Sequence, residues 1–316
     1  MSFKAYLQVF CCLFCSLIAY PQHADSSRKF VPDSNVLMHP ALKPNISFVS
    51  YLQLLKGNFI RQSLAPFRAG KSDLFALGGF ALATGGVMRY DRTINQQFLK
   101  FHNNSSALRK ASPLVTKFGG RYALFTMAGI GSWSYLFKNQ QLTNATLLAT
   151  QSYLTSGIWV GAIKFISGRE RPSYVNPQTH DSRGSWHGMF FQFKKTTAGI
   201  KPDGAQYSSF PSGHAAAAFS IATVYAEMYR NQRWVPLLAY TSASLIGLSR
   251  IMENRHWASD VLVSSALGYL CGKQVVRNFY MLQRLSSFSC RKQYKLTYNL
   301  NFVHNTIMPE LICTFK

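Results

Sequence analysis

Acidic residues are scarce in this chain. Eleven Asp and Glu stand against 34 Lys and Arg, leaving a formal charge of +23 over 316 residues. That balance favours anionic partners: phosphorylated metabolites, acidic lipid headgroups or nucleic acid. Nucleic acid is set aside by two further absences. The basic residues are scattered without a long Lys/Arg block, and no zinc-finger or RNA-binding signature is present. Cysteine is sparse as well. Cys11, Cys12 and Cys15 lie in one N-terminal apolar run, and only Cys271, Cys290 and Cys313 follow, with no zinc-ligand spacing. Cys271 falls in an apolar helical pattern and reads as core, while a Cys290–Cys313 pair in an oxidising compartment stays open. Internal repeats and strict period-two alternation are also missing, which argues against a repeat array or a sheet protein.

Long uninterrupted apolar runs are the last absence. A membrane span needs about 20 predominantly apolar residues. The stretch Leu142–Ile163 has that length but carries Asn144, Gln151 and several Ser and Thr, and Leu74–Met88 is shorter. An apolar content of 47% and a mean hydropathy of −0.02 fit a folded chain rather than a typical polytopic membrane protein. The apolar segments therefore read as buried helices of a water-soluble bundle, with short polar-tolerant spans as the alternative.

What is there begins with export. Lys4 precedes the uncharged run AYLQVFCCLFCSLIA, and a polar, proline-bearing stretch follows. This is the layout of a secretory signal, with cleavage after Ala19 or Ala24. Leu17 and Gln22 are poor residues at the −3 positions of these two sites, so an uncleaved anchor is the alternative. Either places the protein in the cell envelope, periplasmic or otherwise extracytoplasmic.

Beyond the leader, helical segments are predicted at Leu74–Met88, Tyr122–Phe137, Leu142–Ile166, Ala215–Tyr229, Trp234–Leu248 and Ala258–Val276, giving an all-α helical bundle. Between Ser173 and Phe210 the pattern lapses into a Pro- and Gly-bearing loop. Its Tyr174, Trp186 and Phe190 either contact an acyl or prenyl chain or pack on the bundle. After Arg284 the chain turns polar and basic, and YKLTYNLNF hints at a strand.

Three short stretches carry chemistry. In SRIMENRHWASD, a helix break at Asn254 and Arg255 precedes a second helix. There His256 and Asp260, four residues apart, share a face. A carboxylate beside an imidazole fixes its tautomer and leaves the other ring nitrogen free to attack. In FPSGHAAAAFSIA, Ser212 is a good helix N-cap and Gly213 lets the backbone approach closely. The helix start they make is an anion site with His214 in its first turn. In KFISGRERP, Lys164 and Arg171 offer a point charge and a planar fork of donors to phosphate oxygens, followed by Pro172. Each stretch alone has an ordinary structural explanation: a surface pair, a capped helix, a basic helix end.

Together, K-x6-R-P, P-S-G-H and S-R-x5-H-x3-D in that order resemble the type 2 phosphatidic acid phosphatase (PAP2) superfamily. That superfamily also holds bacterial acid phosphatases and vanadium-dependent haloperoxidases. The match falls on Lys164, Arg171, Pro172, Pro211, Ser212, Gly213, His214, Ser249, Arg250, His256 and Asp260. The resemblance implies that His256 is the nucleophile, forming a phosphohistidine, that Asp260 orients it, and that His214 is the general acid for the leaving oxygen. It implies that Lys164, Arg171, Arg250, Ser212 and Gly213 bind the phosphate. With three fixed cations at the reacting group, no metal or other cofactor is implied. The expected domain plan is a signal peptide or anchor over 1–24, a leader over 25–71, a PAP2-like catalytic helical domain over 72–280 and a basic tail over 281–316. The expected activity is a phosphatase acting on a phosphomonoester or a lipid phosphate or pyrophosphate, with a membrane surface as a further partner and no nucleic acid. The alternatives are a haloperoxidase, which alone would need vanadate, and a non-enzymatic basic membrane-surface protein that retains the pocket.

Overall fold

A computed structural model of the chain describes residues 46, 48–175, 184–189, 191, 205–290, 294–303 and 306–315, with side chains as far as residue 283. The expected signal, residues 25–45 and 47 of the leader, Phe190 and the side chains of Cys290 and Cys313 lie outside what is described. Among the described residues eight helices follow one another: α1 (Phe48–Leu64), α2 (Lys71–Asn104), α3 (Ser106–Gly119), α4 (Arg121–Leu136), α5 (Gln140–Ser167), α6 (Gly213–Met228), α7 (Trp234–Met252) and α8 (Ala258–Cys290). Short 3₁₀ turns at Pro66–Arg68 and Pro172–Tyr174 punctuate them. The chain divides into two units, residues 1–276 and 277–316. In the second, β1 (Tyr294–Val303) and β2 (Thr306–Phe315) pair antiparallel with Tyr294 opposite Phe315, so the hinted strand is present. The bundle itself is helical, as expected.

Local signals set the helix starts. Ser105 Oγ accepts from the Leu108 amide at 3.3 Å, Asn139 Oδ1 from Leu142 at 3.1 Å and Ser212 Oγ from Ala215 at 3.5 Å, each satisfying an otherwise orphaned donor. α5 ends at Gly168, whose φ of 54° places it in the left-handed region.

α6 is the central helix of the bundle. Eleven of its 16 residues are buried, led by Ala215, Ala216, Ala217 and Ala218. This alanine face lets neighbouring backbones come close. A Cβ added at Gly268 on α8 would stand 2.4 Å from the Ala216 carbonyl oxygen. α1 runs parallel to α5, held by side-chain amides rather than apolar packing alone. Asn58 donates to Gln151 at 2.7 Å, Gln62 to Thr155 at 3.2 Å and Trp159 to Gln62 at 3.1 Å.

The expectation of helices enclosed in a water-soluble bundle fits α6 but not α4 or α7. Phe125 and Trp133 on α4 are 69% and 60% exposed, and Leu237 on α7 is 71% exposed. Leu74, Phe75 and Leu82 on the first part of α2 are exposed too. α7 is long and apolar enough to cross a membrane. These faces have no protein partner among the described residues.

Candidate active site

The ends of four helices bring the predicted residues together. Lys164 lies in the last turn of α5, His214 in the first turn of α6, Arg250 in the last turn of α7 and Asp260 in the first turn of α8. Beyond α5 the chain runs extended through Arg169 and Arg171, beside the segment that leads into α6. The Arg171 amide donates to the Gln206 carbonyl at 2.9 Å, and the Ser209 amide donates to the Arg169 carbonyl at 3.0 Å. On the other side, the His187 and Gly188 amides donate to the Gly168 and Ser167 carbonyls at 3.2 Å each. Gly168 is required there twice over: by its positive φ, and because a Cβ would meet the Gly188 carbonyl oxygen at 2.5 Å.

The cations converge on Ser208. Lys164 Nζ donates to its carbonyl, and Arg171 Nη2 donates to its hydroxyl at 3.1 Å. Arg250 is held from below. Its Nη1 donates to Glu253 at 2.8 Å, and the other Glu253 oxygen accepts from Ser112 at 2.8 Å and Thr116 at 2.6 Å on α3. Thr116 also meets the Ser249 hydroxyl at 2.7 Å. Arg250 Nε is buried with no hydrogen-bond partner among the described residues, a donor left open at the site.

His256 is not on α8 but in the turn before it, a difference from the helix expected to start near His256. The Asp260 carboxylate accepts the Trp257 amide at 2.9 Å, and this cap starts the helix at Ala258. Asn254, at φ 58°, marks the expected break. The imidazole is 2% exposed. Its Nδ1 lies 2.7 Å from the Ser209 carbonyl and 3.8 Å from Asp260 Oδ2. A carbonyl only accepts, so Nδ1 carries the proton and Nε2 the lone pair. Burial, with the charges of Lys164 and Arg171 added, pushes the pKa of His256 down to about 3, although Asp260 works in the opposite sense. The ring is therefore neutral at neutral pH.

Asp260 is itself anchored by more than His256. Arg169 Nη1 donates to Oδ1 at 2.5 Å, and Ser209 Oγ donates to Oδ2 at 2.5 Å. His214 stands against the turn between α3 and α4, where a Cβ on Gly120 would come within 2.5 Å of its Nε2. Beside it opens a cavity of about 480 Å³, lined by Gly120, Tyr153, Leu154, Ile158, Gly213 and His214 among others. Lys164, Arg171 and Arg250 all lie within electrostatic range of His214.

All eight predicted site residues thus fall in one region. Sequence reasoning missed Ser209, Arg169, Glu253 and Asp91, the last a fully buried acid on α2. None had a spacing signal of its own, although Arg169 stands inside the KFISGRERP stretch and Asp91 is one of 11 acids in the chain. Among the described residues, no three His, Cys, Asp or Glu side chains form a metal-holding group.

Comparison with known proteins follows the same region. Residues 145–284 match the family model of the PAP2 superfamily. An 87-residue stretch is 45% identical to the lipid A 1-phosphatase of Porphyromonas gingivalis, covering 27% of this chain and 20% of that protein. A 144-residue stretch is 28% identical to the probable diacylglycerol pyrophosphate phosphatase 1 of Schizosaccharomyces pombe, covering 41% of this chain and 51% of that protein. The chain thus spans a fifth to about half the length of these curated relatives. Among solved structures, Aquifex aeolicus LpxE is similar at 21% identity and a TM-score of 0.41, over 58% of this chain and 93% of that chain. The first transmembrane PAP2 type phosphatidylglycerolphosphate phosphatase from Bacillus subtilis is similar at 19% identity and a TM-score of 0.42, over 74% of this chain and 98% of that chain.

Proposed function

From a catalytic region that carries the PAP2 superfamily pattern, we propose that this chain is a phosphatase of lipid phosphates or pyrophosphates that works through a phosphohistidine. One observation carries the reading. A buried, neutral imidazole has its Nδ1 proton fixed on the Ser209 carbonyl, in range of Lys164 and Arg171. His256 Nε2 attacks phosphorus, and the bond to the leaving oxygen breaks as that oxygen takes a proton from His214. Lys164, Arg171 and Arg250, with the Ser212 hydroxyl and the Gly213 amide at the α6 N-terminus, hold the three equatorial oxygens. In the second step His214 takes a proton from water, whose oxygen attacks the phosphohistidine. Inorganic phosphate leaves and His256 is regenerated. Those fixed cations supply the charge that Mg²⁺ supplies elsewhere, so no metal enters the scheme.

Two features support a lipid as the leaving group. The cavity beside His214, where the leaving oxygen departs, is walled by Tyr153, Leu154 and Ile158. The exposed apolar side chains of α2, α4 and α7 match a lipid surrounding better than water. Both curated relatives are named as phosphatases of lipids, which agrees with this choice. The N-terminal apolar run supports placement in the cell envelope, with the site on the extracytoplasmic side.

The test is phosphate release from a panel of lipid phosphates, prenyl pyrophosphates and soluble phosphomonoesters, with and without EDTA. Release from lipid substrates, unaffected by EDTA, is expected. Quenching in alkali should trap an acid-labile phosphoenzyme that His256→Ala abolishes. Full turnover by His256→Ala, or activity lost to EDTA and restored by Mg²⁺, would overturn the mechanism.

A further inference from the structure

Two of the deepest charges near the site, Arg169 and Asp91, take no direct part in the proposed reaction but form one buried cluster with Asp260. Arg169, Asp91 and Asp260 are 1%, 0% and 0% exposed. Arg169 bridges the two acids with different nitrogens: Nη1 to Asp260 at 2.5 Å and Nη2 to Asp91 at 2.7 Å. Nη1 also donates to the Ser259 hydroxyl at 2.8 Å, which in turn donates to Asp91. The second Asp91 oxygen accepts the Ser259 amide at 2.9 Å, so a residue of α2 caps the N-terminus of α8. Two tryptophans close the guanidinium in, with ring centroids 4.9 Å (Trp186) and 5.5 Å (Trp257) away.

The sum of charges decides what this cluster does. A dry Arg169–Asp260 pair alone would be neutral, and the arginine would cancel the field that Asp260 exerts on His256. With Asp91 the cluster carries one net negative charge, in surroundings where an unscreened charge acts strongly. During the proposed transfer the His256 ring gains positive charge as Nε2 bonds to phosphorus. We propose that Asp91, acting through Arg169, is a positioning residue for this reaction. It draws off the guanidinium charge, so that Asp260 both orients the His256 turn and keeps a net negative field toward the ring. Asp91 lies outside the 145–284 segment matched to the family model, and it makes no contact with the substrate pocket in this role.

The inference rests on the phosphatase reading, and its test separates the two. Asp91→Asn is expected to lower kcat about tenfold or more while KM and inhibition by orthovanadate change less than about threefold. Asp91→Ser also removes the negative charge while keeping a hydroxyl for Arg169 and Ser259 to bond, and the same pattern is expected. If Asp91→Asn fails to fold, this second variant carries the test. The double variant Asp91→Asn/Arg169→Gln restores the net charge of the cluster, and should turn over faster than Asp91→Asn alone. A purely structural role would make the double variant worse. Wild-type kcat in either single variant, loss of vanadate affinity in step with kcat, or a double variant slower than Asp91→Asn would overturn the proposal. If the wild-type protein releases no phosphate from any lipid phosphate, the phosphatase reading itself falls, and this inference with it.

Discussion

His256 is kept neutral by its surroundings, and that has a consequence for stability. Its folded pKa lies near 3, below the ordinary value of 6.5 in an unfolded chain. Between those values the unfolded chain binds a proton that the folded one does not. Stability therefore rises with pH across that window and levels off above it. Thermal melts from pH 4 to 8 should show a loss of melting temperature in acid that His256→Asn reduces. Equal slopes in the two proteins would remove this account of the ring. His214 lends itself to a chemical test. His214→Ala should slow alkoxide leaving groups far more than nitrophenolate, which departs without a proton, and equal losses would count against a general acid. Eight residues gathered in this region were named from the sequence through the PAP2 resemblance that their three motifs carry together. Asp91, Arg169 and Glu253 were not, because they act through other side chains. A buried acid that satisfies an arginine across about 80 residues leaves no local spacing to read.

At the scale of elements, the turn between α3 and α4 matters most. Gly119 and Gly120 let it press on α7 and α6: a Cβ on Gly119 would sit 2.3 Å from Ile246 Cγ2 on α7, and one on Gly120 2.5 Å from His214 Nε2 on α6. Gly120→Ala should therefore displace the His214 ring. A loss of kcat of about tenfold or more is expected, with much less effect on vanadate inhibition, since the atoms nearest the added methyl all belong to the His214 ring. Steady-state kinetics would settle it, and unchanged kcat would show that the ring tolerates the methyl. The sequence made this turn hard to anticipate. α3 holds Pro113 and three basic residues, Arg109, Lys110 and Lys117, and no helix is predicted there, although Glu253 and Ser249 are supported from its Ser112 and Thr116. α2 was predicted only to Met88, where the apolar pattern stops. It continues to Asn104 because Asp91, Asn95 and Phe98 extend a buried stripe that includes two polar members. Ser212, Asn139 and Gly168 are local signals with local causes, so α4, α5 and α6 start and stop within two residues of expectation, whereas α7 runs on to Met252 and α8 to Cys290, past the expected Leu248 and Val276, and α1 falls where no helix was expected.

At the scale of the whole molecule, mean hydropathy misled because it averages unlike parts. A polar, proline-rich leader and a basic tail offset apolar helices, and the mean of −0.02 describes neither. Exposure separates them. Burying a large apolar side chain is worth roughly 1.5–3 kcal/mol, so a water-soluble fold gains nothing by exposing Phe125, Trp133, Leu237 and Leu238 along two helices. Lipid removes that conflict. Interhelical amide pairs such as Asn58–Gln151 suit the same surroundings, where side-chain hydrogen bonds help hold helices together. The protein should therefore stay in the membrane fraction through carbonate and high-salt washes and leave it only with detergent. Replacing Phe125, Leu237 and Leu238 together by Ser should weaken that retention while leaving the site residues in place. Release of the wild-type protein by salt or carbonate would return α4 and α7 to water, and would leave their exposed faces waiting for a protein partner instead.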